Sequence, residues 1–380
     1  MVPFESALTT DEMLALFDER EVVQAMLDFE AALARAQGKA GLIPAPAAEA
    51  IAAACRVERF DTADLVRRSR VAGTLAIPLV AALREAAGPH AHHGSTSQDV
   101  VDSAMAILTR RALAIVDRDL GALISELLRL GEAHVDTPQL GRTLLQPAQV
   151  ITFGLKVVSW VAPLVRRQAR IRAAAHGALE LQLGGAVGTF DHDDVVRLVA
   201  EELRLAVPAG PWHAQRDEQA ALGAELGVLC GALGKMARDL SLLMQAEVAE
   251  VAEPWSEGRG ASSAMPHKRN PVASLVAIAA SLRAPQRVAA LLAAMPQEHE
   301  RGLGGWPAEL AEWAGLFFSA HGALAAMLEA ARGLTVDAER MRRNLEPFGG
   351  DPRPAARLAR ARLAALRVLA EAQARVSPFA

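Results

Sequence analysis

The chain carries GASSAMPHKRNP at residues 260–271, a stretch of small and polar residues that leads into an apolar run. That run, Val272–Ala284, keeps helical spacing. Proline suits the first position of a helix and asparagine suits the cap before it. We therefore expect a helix to begin at Pro271, with Asn270 as its N-cap.

The residues before this helix predict a binding loop for an anion. The unpaired N–H groups and the positive dipole at a helix N-terminus favour negative charge. Lys268 adds a full positive charge and Asn270 an amide donor, and Ser262 and Ser263 lie within a few residues. The segment is thus interpreted as a mobile loop that binds a carboxylate. The alternative is an ordinary Ser/Gly/Pro connection between two helices.

Composition favours a large helical protein. The chain has 380 residues, of which 52% are hydrophobic, yet only 4% are aromatic and tyrosine is absent. Alanine and leucine dominate, and both favour helix. The net charge of −4 gives no basic surplus for nucleic acid. Cys55 and Cys230 lack metal or redox spacing, so we expect buried thiols in a reducing compartment.

The N-terminus and the apolar runs predict a soluble cytoplasmic protein without a membrane partner. Residues 1–21 carry six acidic side chains, which a secretory signal would lack. No uninterrupted apolar run was found that would span a bilayer.

Long helical stretches predict an all-α fold built around a long bundle. Gln98–His134, Ala148–Leu183 and Asp217–Glu253 would each be roughly 50 Å long, and helices of that length need partners. Pro254 is expected to end the third. No alternating strand pattern of useful length was found. Further helices are predicted at Glu21–Gly38, Val71–Ala87 with a break at Pro78, Val272–Met295 with a bend at Pro285, Pro307–Gly333 and Ala355–Val376.

Glycines at every fourth position of one long helix predict close packing. Gly223, Gly227 and Gly231 form this stripe, and each costs up to ~1 kcal/mol of helix propensity relative to alanine. A neighbouring helix that approaches closely would explain them; compositional drift is the alternative. Farther back, Asp191 is predicted to cap a helix that runs to Leu203.

We divide the chain into an N-terminal helical domain at 1–97, a central long-helix bundle at 98–333 and a short C-terminal helical segment at 334–380.

The string Ser-Ser-x-Met-Pro-x-Lys-x-Asn-Pro at 262–271 resembles the motif of the fumarase/aspartase superfamily. A second superfamily motif, His-x-Gly-x-Thr-Ser-x-Asp, matches residues 92–99. The resemblance implies that Thr96 and Ser97 donate hydrogen bonds to a substrate carboxylate and that His92 is the motif histidine. Taken alone, the segment predicts only a helix start, capped by Thr96 with Asp99 at capping-box distance.

A third segment, GRTLLQPA at 141–148, departs from most superfamily lyases, which have histidine where this chain has Leu144. Leucine cannot move a proton, so the usual acid is missing. The departure argues against adenylosuccinate lyase, argininosuccinate lyase and fumarase. It resembles the 3-carboxy-cis,cis-muconate cycloisomerase branch, which also lacks that histidine. Gln146 remains as a candidate ligand for a carboxylate.

The fourth segment, QEHERGLGGW at 297–306, is similar to the same branch. Arginine can clamp a carboxylate with two parallel hydrogen bonds, so Arg301 is a candidate substrate ligand. His299 in the same segment is a weaker candidate, for proton transfer. A solvated charge cluster is the alternative interpretation.

The resemblance implies an intramolecular lyase that interconverts 3-carboxy-cis,cis-muconate and 4-carboxymuconolactone in aromatic-acid breakdown. It implies a D2 homotetramer with composite active sites and requires no metal or other cofactor. We hypothesise Ser262 as the acid/base and assign Lys268 and Asn270 to stabilising the intermediate. The residues assigned to substrate binding are Thr96, Ser97, Gln146, Ser263, Met265, His299 and Arg301.

Three alternatives stay open: another superfamily lyase such as adenylosuccinate lyase, a cycloisomerase for a sulfonated muconate, and a non-catalytic helical protein of the same fold.

Overall fold

A computed structural model describes residues 3–265, 267–375 and 379. It confirms the all-α prediction. The N-terminal part consists of short helices, apart from α3, which supplies its longest apolar face. These elements are α1 (Pro3–Ser6), α2 (Asp11–Leu16), α3 (Glu19–Lys39), α4 (Ala45–Ala54), a 3₁₀ turn (Val57–Arg59), α5 (Thr62–Ala72) and α6 (Ala76–Ala87).

Long helices form the bundle, and smaller elements connect them. The bundle helices are α7 (Ser97–Ala133), α8 (Phe153–Ala178), α10 (Asp217–Leu243), α11 (Val272–Ala294) and α12 (Gly305–Gly333). The other elements are β1 (Pro138–Thr143), β2 (Gln146–Thr152), α9 (Asp193–Leu203), β3 (Val251–Ala252), β4 (Thr335–Val336), α13 (Ala338–Leu345) and α14 (Arg353–Ala374).

The bundle has two ends, which carry different motifs. At the Thr96 end, α7, α10 and α12 begin and α8 and α11 finish, so segments 92–97, 179–190, 211–216 and 295–304 lie there. At the Ser262 end, α7, α10 and α12 finish and α8 and α11 begin, so segments 134–152 and 244–271 lie there. A continuous apolar core of buried leucine, valine and alanine side chains fills the bundle between the two ends.

A β-hairpin replaces the predicted start of the second long helix. Strands β1 and β2 pair antiparallel, with Thr143 opposite Gln146. Leu144 and Leu145 form the two-residue turn, with φ of +50° and +64°. Such turns need positive φ at both positions and usually use asparagine or glycine. Two leucines give no such signal, so the prediction of helix from Ala148 was wrong.

Other helix boundaries also differ from the predictions. Helix α10 ends at Leu243, ten residues before the predicted end, because residues 244–250 turn and β3 then pairs with β4. The predicted break at Pro78 lies instead at Gly73, a left-handed C-cap with φ +79°. Pro78 fits the first turn of α6, where a missing N–H costs little. Asp191 is not a cap; His192 precedes α9 and its side chain makes no capping bond.

The glycine stripe of α10 is confirmed in part. A Cβ added at Gly223 or Gly227 would lie 2.5 Å from Leu291 or 2.6 Å from Val288, both on α11. Gly231, in contrast, faces open space. At Gly234, a glycine outside the predicted stripe, an added Cβ would clash with Ser281 of α11. Close packing of α11 on α10 therefore explains the glycines that face it.

The other predicted bundle helices start and end close to the expected residues. Helix α11 passes through Pro285 and ends at Ala294. The final helix, α14, ends at Ala374, and Val376, where we expected it to end, lies outside the described residues. It packs along α7 and α8.

Both cysteines are buried, as predicted, and burial raises the pKa of each thiol to about 12. By length and composition alone, α10, α11 and α12 are each long and apolar enough to cross a membrane. Much of α10 and α12 is buried in the bundle, whereas most residues of α11 are only partly buried or exposed.

Candidate active site

The loop at the Ser262 end is closed at its base by one residue pair. The backbone N–H and the side-chain Nδ2 of Asn270 both donate to the carbonyl of Gly260, each at 3.0 Å. Gly260 has φ +64°, and a Cβ there would lie 2.5 Å from the Asn270 oxygen. The loop of residues 261–269, closed in this way, therefore needs glycine at position 260.

Within the loop, Ser262 is organised by its own backbone. Its Oγ accepts from the N–H of Met265 at 3.1 Å and of Ala264 at 3.4 Å. Ser263, Met265 and Lys268 are exposed. Pro266 of the motif lies outside the described residues.

The prediction that the N-terminus of α11 is open to a substrate anion is wrong. A buried carboxylate, Glu253, already accepts from the N–H groups of Ala273 and Ser274 at 2.9 Å and from the Ser274 hydroxyl at 2.6 Å. Pro271, not Asn270, is the residue before the helix, and the Asn270 amide is used to close the loop. The N–H groups of Ala273 and Ser274 at this end of the helix are thus already bonded to a carboxylate of the same chain.

At the Thr96 end, Asp99 holds several segments together. Its fully buried carboxylate accepts from the N–H groups of Thr96, Gly184 and Gly185 at 3.0–3.1 Å. His213 Nε2 donates to it at 2.7 Å. Thr96 and Ser97 therefore stand at a fixed helix start and are partly exposed, and Thr96 forms the predicted capping box with Asp99.

Arg301 reaches the same end. Its Nη2 donates to the carbonyls of Gly185 and Ala186 at 3.1 and 2.8 Å. Its Nε is buried without a hydrogen-bond partner among the described residues, so the guanidinium has donor capacity left. His299 is exposed, with φ +49°.

A buried ionic cluster next to these residues stabilises this arrangement. Arg216 donates to Asp102 and Glu309, and Trp306 Nε1 donates to Asp102 at 2.9 Å. Burial by itself lowers the pKa of Arg216, but the two carboxylates outweigh it and the net shift is upward. Because Trp306 opens α12, the cluster ties the segment that carries Arg301 to α7.

Gln146 lies at the other end, in the exposed part of the hairpin. The hairpin is anchored by Glu250, whose buried carboxylate accepts from Arg142, Gln139 and Asn344 at 2.6–3.2 Å. Leu144 is 96% exposed at the turn. Nothing in the described chain packs over it.

One chain therefore brings together only some of the predicted residues. Thr96, Ser97, His299 and Arg301 share one end; Gln146 and the Ser262 loop share the other. Helix α11 alone, with 23 residues, separates Lys268 from Arg301 by roughly 35 Å.

The sequence reasoning missed the anchoring carboxylates Glu250, Glu253 and Glu309. It assigned Asp99 only to a helix cap. Their sequence positions could have indicated that they are buried, because each of these acidic residues lies within or beside an apolar segment.

The chain matches the profile of a family described as "Lyase" over residues 5–285. The chain belongs to this lyase family. A 3-carboxy-cis,cis-muconate cycloisomerase of Pseudomonas aeruginosa is 48% identical over 90% of this chain and 77% of its own length. A nitrosuccinate lyase of Streptomyces davaonensis is 41% identical over 92% of this chain and 76% of its own length.

Among solved structures, the lyase is similar to a 3-carboxy-cis,cis-muconate lactonizing enzyme from Pseudomonas putida. The TM-score is 0.87 at 44% identity, over 90% of this chain and 80% of that one. The resemblance to the cycloisomerase branch, inferred from the motifs, is confirmed.

Proposed function

We propose that this lyase interconverts 3-carboxy-cis,cis-muconate and 4-carboxymuconolactone in the breakdown of aromatic acids. The observation that carries the proposal is the 43–48% identity, over 90% of the chain, to three proteins named for this cycloisomerase reaction. Leu144 supports it, since the position used for a histidine acid in most superfamily lyases is apolar here.

The reaction is an isomerisation with no net oxidation or reduction. One substrate carboxylate oxygen forms a C–O bond to a carbon of a double bond that is conjugated with a second carboxylate. The π electrons move into that second carboxylate and give an enolate-like dianion. A proton added to the adjacent carbon then completes the lactone.

The residues fall into two roles in this scheme. Lys268 and the N–H groups of the loop stabilise the dianion, a contribution that is often worth 10²–10³ in kcat per donor. Ser262 exchanges the proton. Its Oγ already accepts from two backbone N–H groups, which would stabilise an alkoxide and so make serine a better base.

The binding residues match a substrate with three carboxylates. Thr96 and Ser97 bind one carboxylate, and Arg301 binds another through its remaining donors. Gln146, Ser263, Met265 and His299 complete the binding set. Asn270 acts through the loop closure rather than by direct contact, since its amide is bonded to Gly260.

The separation of the two ends supports the proposal of a homotetramer with composite sites. A site that uses Thr96 and Ser262 together requires neighbouring copies to pack antiparallel. The apolar side chains on the outer side of α11 support such packing. Leu275, Leu282 and Leu292 are each more than half exposed, and on the neighbouring helix α10 Val228 is 52% exposed. An apolar surface of this kind marks an interface. We place the assembly in the cytoplasm as a soluble enzyme.

Ultraviolet spectroscopy of purified protein with 3-carboxymuconate tests the function. Loss of the conjugated diene absorbance, with 4-carboxymuconolactone as product, is the expected result. Adenylosuccinate, nitrosuccinate and a sulfonated muconate serve as comparison substrates. Turnover of one of these instead, with 3-carboxymuconate unchanged, would reject the proposal. A mass measurement by light scattering tests the tetramer separately.

A further inference from the structure

A buried carboxylate outside every predicted motif contacts the motif histidine. Glu30 lies on the inner face of α3 and is fully buried. Its Oε1 is 2.6 Å from Nδ1 of His92, and its Oε2 is buried without a partner among the described residues. Burying a carboxylate is unfavourable unless it is paired, and here the imidazole is the only hydrogen-bond partner described. Packing alone does not explain a glutamate at this position.

The contact determines which ring nitrogen of His92 stays available. A carboxylate only accepts hydrogen bonds, so Nδ1 carries the proton and donates to Glu30. Nε2 makes no hydrogen bond within the described part of the chain and is not buried. The side chain as a whole is 11% exposed, so the ring is held in the protein with one nitrogen at the surface.

The backbone around the histidine is held by the same helix. His92 has φ +62°, a conformation that non-glycine residues rarely adopt and that the surroundings must maintain. Gln37, about two turns after Glu30 on α3, donates from Nε2 to the carbonyl of His93 at 2.7 Å. Two buried side chains of α3 thus fix both residues that precede Gly94.

The fixed histidine stands beside the start of α7. Gly94 packs on Phe190 and on the turn at Gly185. Arg301 donates a hydrogen bond to the carbonyl of Gly185 in the same turn. Thr96 and Ser97 follow directly. His92 Nε2 is therefore presented at the same end as the hydroxyls and the guanidinium assigned to substrate.

We propose that Glu30 is a positioning residue that fixes the tautomer and orientation of His92, so that Nε2 meets the substrate beside Thr96 and Ser97. The proposal rests on the proposed function. A purely structural role of Glu30 would not depend on His92, whereas the role proposed here requires that the effect of Glu30 on activity be transmitted through the His92 ring.

Steady-state kinetics of a double-mutant cycle test this. Glu30→Gln keeps the volume and an acceptor oxygen but removes the charge. We expect kcat to fall roughly tenfold with KM little changed, a modest part of the 10²–10⁴ that a positioned acid or base contributes. In a His92→Ala background the same change should have no further effect, and Glu30→Asp should recover part of the activity.

Gln37→Leu is the matched control. It removes the other contact of α3 with this segment but leaves the Glu30–His92 pair, so its effect should be the same with or without His92. An equal loss of kcat on Glu30→Gln in both backgrounds would overturn the proposal.

Imidazole ¹⁵N spectra, assigned with His92→Ala, provide a readout that needs no substrate. The expected spectrum shows His92 protonated at Nδ1 in the original protein and a mixture of tautomers in Glu30→Ala. An unchanged tautomer would contradict the proposal. An inactive wild-type protein with the expected spectra would reject only the proposed substrate.

Discussion

Asp99 and His213 form a buried pair in which Nε2 of the histidine donates to Oδ1 of the carboxylate at 2.7 Å. The same carboxylate accepts from backbone N–H groups at the start of α7 and in the Gly184–Gly185 turn. Segments distant in sequence thus share one acceptor. The position of Thr96 depends on this acceptor as much as on its own helix.

Asp99→Asn should lower stability by about 2 kcal/mol, because an amide cannot accept from all these donors and hydrogen bonds to charged groups are worth about 1.5–3 kcal/mol. Denaturant unfolding measures the change, and kcat/KM should fall with it. Asp64→Asn is a matched control, since Asp64 is also the third residue of its helix but its side chain is 32% exposed. Its effect should stay within about 0.5 kcal/mol. Equal losses for both variants would contradict the role of Asp99.

Ser262→Ala should lower kcat by roughly 10²–10⁴ with a small change in KM, as expected for loss of a proton-transfer group. Ser263→Ala, in contrast, should mainly raise KM, because Ser263 is assigned to binding. Steady-state kinetics separate the two effects, and circular dichroism checks folding. Near-full turnover by Ser262→Ala would remove serine from the mechanism.

Mixtures of two inactive variants should recover activity if the sites are composite. Thr96→Ala and Ser262→Ala each damage one end of the bundle. After mixed refolding at equal amounts, about a quarter of the sites in a symmetric assembly combine two undamaged ends. Turnover should therefore return to about a quarter of the original value. Separately refolded variants, mixed without subunit exchange, are the control and should stay inactive. No recovery despite proven subunit exchange would place each site within one chain.

Gly260→Ala should impair the loop more than Gly258→Ala. Both glycines have positive φ, +64° and +80°, so both variants bear backbone strain of about 1 kcal/mol. Only at residue 260 does the new methyl group meet the Asn270 carbonyl, at 2.5 Å; residue 258 has nothing within 4 Å. We expect faster limited proteolysis and lower kcat for Gly260→Ala. Equal behaviour would show that the Asn270 contact does not close the loop.

Lys156→Met should raise stability by about 1 kcal/mol at neutral pH, because a largely buried ammonium has no carboxylate within ion-pair distance in the described chain. Burial lowers the pKa of Lys156 in the folded protein. The unfolded chain then binds more protons between the folded and unfolded pKa values, so stability of the original protein should rise with pH through that window. Unfolding at several pH values measures this.

The methionine variant should lack that rise, since it has no group to titrate. Lys235→Met is the control, as Lys235 pairs with Asp239 and is exposed. A larger gain for Lys235→Met, or an unchanged alkaline slope for Lys156→Met, would contradict the assignment.

Local patterns were sufficient for most of the helices and for the binding motifs. The spacing of apolar residues predicted α7 to within one residue at each end, because a 3.6-residue period is a property of neighbouring positions. The hairpin was missed because Leu144 and Leu145 adopt positive φ without any residue type that favours it. Pairing with β1, a contact between strands, holds them there.

The sequence by itself determined that the protein is a helical bundle, which residues form the Ser262 loop, and that Leu144 cannot act as an acid. Only the tertiary structure decided that Glu253 occupies the N-terminus of α11, that Glu30 holds His92, and that Thr96 and Ser262 lie at opposite ends. The physical reason is that hydrogen-bond partners of a buried charge are set by packing between distant segments. No local period or motif encodes them.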